Sequence, residues 1–239
     1  MECPLSFSLS VSFFIGGLHS MWCNALKTWV SSFLAGAFIA IGAACNLYLG
    51  SIGYAWLGAF VFPIGLLRVC FFDKALYTGK VGFILENDFH CFVSLFNILF
   101  GNCVGALMFG IMFSCRFPLR GDQYYAFINA KFLSWNANVL ITALVKGRMA
   151  GVFVFLAVKS YKTLNNAGLK ALFIILNIAA MVLLKSDHCI ANVAYFGMLL
   201  PYVQADFLTI IISFIFNCLT NAMGSIIMYL LFKSCKCQD

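Results

Sequence analysis

The chain has 239 residues, 63% of them hydrophobic and only 10% charged, with a mean hydropathy of +0.98 and a net charge of +7. That composition excludes a soluble globular domain. At about 20 apolar residues per membrane-crossing helix, the length holds roughly six or seven spans and no separate soluble domain. The basic residues flank apolar segments and form no stripe, which argues against nucleic acid as a partner and for a role in topology and in attracting small anions.

The first twenty residues contain the apolar run Val11–Ile15 but no basic n-region, with Glu2 as their only charge, so they read as an interfacial segment leading into the first span, not as a signal peptide. That span covers about Trp29 to Tyr48. The second begins near Ile52, breaks after Val69 and resumes over about Thr78 to Leu85, and the third runs from about Phe89 to Phe113. A connector with Arg116, Arg120, Asp122 and Lys131 leads to the fourth, about Val139 to Val158. The fifth begins near Leu169, breaks around Lys185 and resumes from His188 to Leu200; the sixth runs from Phe207 to Phe232. Lys146 and Arg148 fall inside the fourth span, or mark a boundary that lies elsewhere.

Lys27, Lys80, Lys159, Lys162, Lys170, Lys233 and Lys236 collect on one side of these spans. By the positive-inside rule both termini are cytoplasmic. The connector after span three dissents, being net positive on the outer side.

The breaks are the informative feature. Each is a short polar island in an apolar segment: Asp73-Lys74-Ala75-Leu76-Tyr77-Thr78-Gly79 and Lys185-Ser186-Asp187-His188-Cys189-Ile190-Ala191-Asn192. Charged groups at membrane depth usually mark a transport path, and interrupted segments at corresponding places in two halves point to a midplane substrate site. One span beyond each island stands an Asn-x-x-Gly, at Asn102 and at Asn221. Each asparagine serves either as packing glue between helices or as a ligand-binding group. Three spans per half imply two inverted repeats, approximately 27–115 and 135–233, within one transmembrane domain. Lys185 is the nearest partner in sequence for Asp187, as Arg68 and Lys74 are for Asp73.

Taken together, the Ala-Gly-rich stretch Ala35–Ala43 after Lys27, the loop Leu76-Tyr77-Thr78-Gly79, the run Phe100-Gly101-Asn102-Cys103-Val104-Gly105 and the island Asp187-His188-Cys189-Ile190-Ala191-Asn192 resemble the formate/nitrite transporter family, in the family's order and over nearly the whole chain. The resemblance implies an all-α integral membrane fold of six helices, the second and fifth broken, with an aquaporin-like hourglass protomer and homo-pentameric assembly. It implies His188 as the central histidine and Thr78 as the loop threonine; Asn192 in the same island, and Asn102 and Asn221 through their repetition in register, are the further candidates for the pore. It further implies apolar constrictions at Phe62, Leu66, Leu76, Tyr77 and Met181, and vestibule cations at Lys27 and Lys131. The chain departs from the family at Ala75, where an acidic residue is usual, at Met181, where a phenylalanine is usual, and at Gly151, where an asparagine is usual.

Such a chain is expected to be a channel or transporter in the plasma membrane, not an enzyme. Its expected partners are small monovalent anions (formate, nitrite, lactate, acetate or hydrosulfide), their conjugate acids, protons and the lipid bilayer. Moving a bare carboxylate through a dry constriction costs on the order of tens of kcal/mol. Protonating an acid of pKa near 4 at pH 7 costs only about 4 kcal/mol. The neutral acid is therefore the favoured permeant, with proton transfer near His188. The alternative is an hourglass channel for small neutral solutes, but that architecture uses Asn-Pro-Ala caps and none of the four prolines follows an asparagine. A haem or metal enzyme would need paired ligands, and only three histidines exist. Eleven scattered cysteines with no CxxC argue against a disulfide framework, and the CxC of Cys235 and Cys237 is the only metal-like spacing, so no cofactor or metal is expected.

Overall fold

In the computed structural model the described backbone covers residues 6–86, 89–114, 122–134 and 136–236, and the described side chains lie within 25–86, 93–114, 124–134 and 136–235. Every regular element among them is helical. The chain runs α1 (Ser6–Ser51), α2 (Ala55–Val61), α3 (Ile64–Phe71), α4 (Tyr77–Lys80) continued by a 3-10 turn (Val81–Glu86), and α5 (Phe89–Ser114). Then follow α6 (Asp122–Asn129), α7 (Ala137–Thr163), α8 (Ala167–Leu183), α9 (Cys189–Met198), a short 3-10 turn (Leu200–Tyr202) and α10 (Phe207–Lys236).

Four stretches are long and apolar enough to cross a membrane: Ala25–Ser51, Val93–Ser114, Ala137–Thr163 and Phe207–Cys235. Their apolar residues surround the helix and do not form a single stripe, as expected where both lipid and protein are apolar neighbours. The remaining apolar helices are shorter pieces, Ala55–Phe71, Ala167–Leu183 and Cys189–Met198.

Local chemistry sets the ends. Asn136 caps α7 by accepting from the backbone N–H of Asn138 at 2.9 Å, and Asn166 caps α8 by accepting from Leu169 N–H at 3.0 Å. Asp206 does the same for α10, accepting from Thr209 N–H at 2.9 Å and from the Thr209 hydroxyl at 2.8 Å. Those bonds hold its carboxyl below the ordinary range. Pro63 has no N–H to donate, and the chain turns between α2 and α3 there.

Small residues decide how the long helices meet. α1 packs on α5, and α7 packs on α10. A Cβ at Gly36 would overlap the carbonyl oxygen of Asn102, and a Cβ at Gly151 would overlap that of Asn221. Only glycine lets these backbones approach so closely.

Residues 6–20 continue α1 without a break and lead straight into the first span. Of the two alternatives for Lys146 and Arg148, the structure has them well inside the unbroken α7, where they mark no boundary. One expectation changes: the connector between the third and fourth spans is not all loop and holds a helix, α6. Arg116 and Arg120 of that connector lie outside the described residues, as do the side chains of His19 and His90.

Candidate functional site

Two chain segments, Phe72–Leu76 and Leu184–His188, separate α3 from α4 and α8 from α9, and they are built alike. In the first, Asp73 N–H donates to Cys70 O at 3.2 Å and Lys74 N–H donates to Val69 O at 2.8 Å. In the second, Lys185 N–H donates to Val182 O at 2.9 Å and Ser186 N–H donates to Met181 O at 3.0 Å. Both are Schellman ends, which need a left-handed residue just past the helix. Asp73 (φ 49) and Lys185 (φ 53) take that conformation although neither is glycine.

Each segment is then held by one buried asparagine from a long helix. Asn102 accepts from Tyr77 N–H at 2.8 Å and donates to Ala75 O at 2.8 Å and Ser32 O at 2.7 Å. Asn221 accepts from Cys189 N–H at 3.1 Å and donates to Asp187 O at 2.8 Å, Gly147 O at 3.1 Å and Asn217 Oδ1 at 2.8 Å. In an apolar surrounding every backbone group of an irregular segment needs such a partner. Two more N–H groups find partners elsewhere. Ala75 N–H donates to Ser31 Oγ at 3.0 Å, and Asp187 N–H donates to Lys146 O at 3.2 Å. The bonds of Asn102 and Asn221 thus all go to protein groups, and these two side chains are clamps.

Between the clamped groups each segment presents one residue, Leu76 in the first and His188 in the second. His188 caps α9: its Nδ1 accepts from Ala191 N–H at 3.1 Å. Its other nitrogen, Nε2, lies 2.9 Å from Thr78 Oγ1 in the first turn of α4. The cap settles the tautomer. An Nδ1 that accepts carries no proton, so the neutral ring is protonated at Nε2 and donates to the threonine oxygen. Both residues are deeply buried, Thr78 at 1% exposure and His188 at 4%.

On one side His188 faces a cavity of about 310 Å3 lined also by Asn192, Phe62, Asn46 and three lysines, Lys131, Lys146 and Lys185. Lys131 reaches Asp187 at 2.5 Å, the one ion pair among the described residues. The expected local pairing of Asp187 with Lys185 is not made, and Asp187 pairs with Lys131 instead. Arg68 and Lys74 likewise form no ion pair with Asp73. A second cavity, about 480 Å3, shares Lys131 and Lys146 and reaches Asp187 from α7.

The other candidate residues divide as follows. Leu66, Leu76 and Met181 are each 2% exposed and pack in the same buried apolar cluster. The Tyr77 hydroxyl donates to Cys218 O at 3.4 Å, and the side chain lines an apolar groove between α5 and α10. Lys27 is exposed on α1, while Lys131 lines the cavity at His188. Among the described residues no group of histidine, cysteine or carboxylate side chains is placed to hold a metal. Sequence reading missed Ser31, Asn46, Asn217 and Tyr195, whose positions within apolar helices carry no local signal. Asn46 Nδ2 donates to Tyr195 Oη at 2.7 Å on the cavity wall.

A family model described as "Formate/nitrite transporter" matches residues 16–234. Solved structures share the fold, two of them as follows. One is titled "Pentameric formate channel with formate bound", with 20% identity, a TM-score of 0.75, and 90% of this chain and 98% of that chain covered. The other is titled "FNT family ion channel", with 19% identity, a TM-score of 0.74, and 89% and 91% covered. No curated protein matches the chain.

Proposed function

Because the chain belongs to the formate/nitrite transporter family of membrane channels, we propose that it passes small monovalent anions, as their conjugate acids, through a pore centred on His188 and Thr78. The observation that carries this reading is the 2.9 Å contact between their side chains, each from a different interrupted segment. The cavity at Lys131 is the outer mouth of the pore, with Asn192 on its wall. Phe62, Leu66, Leu76 and Met181 are its apolar constrictions. The matching Schellman ends and asparagine clamps support two inverted repeats, approximately 27–115 and 135–233, arranged as an hourglass with both termini in the cytoplasm of a plasma-membrane protein. The pentameric neighbour supports a homo-pentamer with one pore per protomer.

The chemistry follows from charge and tautomer. Cations at the mouth concentrate the anion. Beyond the mouth the apolar residues offer no counter-charge, so the anion takes a proton from water in the mouth before it enters, for about 4 kcal/mol at pH 7 against tens for bare passage. His188 cannot be protonated at Nδ1 without losing the cap of α9. Its ring therefore acts as a fixed donor, and by donating to Thr78 Oγ1 it aims that hydroxyl's own hydrogen at the permeant. Proton transfer occurs beside this pair, in the mouth that faces it, and the constrictions see a neutral molecule.

The test is uptake of radiolabelled formate into proteoliposomes. His188→Phe should reduce flux to the protein-free level, and Thr78→Val should reduce it at least about tenfold, the loss of one hydrogen bond to a permeant in a dry site. Unchanged flux in both variants would rule out the pair as the pore centre.

A further inference from the structure

The mouth carries more positive charge than one monovalent anion neutralises. Lys131, Lys146 and Lys185 all line the cavity in front of His188, and Asp187 answers only Lys131. Among the described residues neither Lys146 nor Lys185 has an ion-pair partner. One further feature points the same way. Ser186 Oγ, on the same wall, is buried with no hydrogen-bond partner, and a buried hydroxyl in that state is destabilising until a partner arrives.

From these features we infer that the mouth is a binding site for a small dianion of the short-chain dicarboxylate class. One carboxylate meets Lys146 and the other Lys185, with Asn192 Nδ2 and, once rotated about χ1 toward the cavity, Ser186 Oγ donating to the oxygens left over. The cavity, about 310 Å3, admits such a molecule whole. The dianion stops there. To go on past Phe62 it must take up two protons where a monocarboxylate takes one, so it occupies the mouth and excludes the permeant. This inference rests on the reading of the cavity as the pore mouth.

Titration calorimetry of the detergent-solubilised full chain with malonate and with acetate, at low ionic strength, measures the selectivity directly. The wild type should bind malonate at least about tenfold more tightly than acetate, and Lys146→Met with Lys185→Gly should bring the ratio to about one. Lys185→Gly alone, which the backbone favours, should lower the ratio at least about threefold, and Lys185→Arg should keep it. A wild type without preference for malonate, or a ratio unchanged in Lys185→Gly, overturns the inference. Formate uptake by the same preparation, with and without saturating malonate, separates the two readings. No uptake at all alongside intact malonate preference would sink the pore and leave the site. Uptake indifferent to malonate would overturn the block.

Discussion

His188 and the two asparagines show how little a residue type says about its task. All three are polar groups inside apolar helices, which marks them in the sequence. Yet Asn102 and Asn221 spend their hydrogen bonds on Ala75, Tyr77, Asp187 and Cys189, while His188 keeps one nitrogen for Thr78. Asn221→Leu would strand the N–H of Cys189 and the carbonyl of Asp187. It should destabilise the fold by about 1–3 kcal/mol for each stranded group, read as a lowered melting temperature in detergent. An unchanged melt would mean that the clamp is dispensable. Lys185→Gly tests the backbone in the opposite direction. Relief of the left-handed strain should raise stability by about 1–2 kcal/mol, and Lys185→Ala, which keeps the Cβ, should not. The islands were legible because charge at membrane depth is rare. The pairing of Asp187 with Lys131 was not, because the partners lie 56 residues apart and Lys185 stands closer in sequence.

At the scale of elements, the two interrupted segments rely on the same three devices: a left-handed turn at the end of a helix, an asparagine clamp, and a glycine that lets the clamping helix approach. Gly151→Ala should disturb the contact of α7 with α10, because its Cβ meets the carbonyl oxygen of Asn221. The variant is expected to lose the sharp elution peak of the wild type in size-exclusion chromatography, and a normal profile would show that the helices can yield. The break positions and the Asn-x-x-Gly repeat could be read from the residues, since both interrupt long apolar runs. Helix α6 could not, because eight residues with two tyrosines and an asparagine look like any amphipathic connector. The cap at Asp206 gives a pH dependence of known sign. Its carboxyl is held below its ordinary value by Thr209. The contribution is therefore present above the unfolded pKa and fades as pH falls through the folded one. Thr209→Val should shrink that acid-side loss in thermal melts followed between neutral and acidic pH.

For the whole molecule, the fold is the part that residues and comparisons reach together. The all-helical class and the family follow from motifs spread along the chain. The choice among formate, nitrite, lactate, acetate and hydrosulfide does not, because all are small monovalent anions of weak acids, and one hydroxyl and one imidazole can hydrogen-bond any of them. Native mass spectrometry from mild detergent should give a homo-pentamer, and a monomer or trimer would count against one pore in each of five protomers. The central claim is that the neutral acid crosses the constrictions at Phe62, Leu66, Leu76 and Met181. It is tested most directly by weak-acid uptake into proteoliposomes at fixed total anion concentration, with membrane current recorded in parallel. Uptake should rise as external pH falls, up to about tenfold per pH unit while the neutral form is scarce, with no matching anion current. Uptake independent of pH and accompanied by an equivalent anion current would show that the anion itself passes, and would contradict this account.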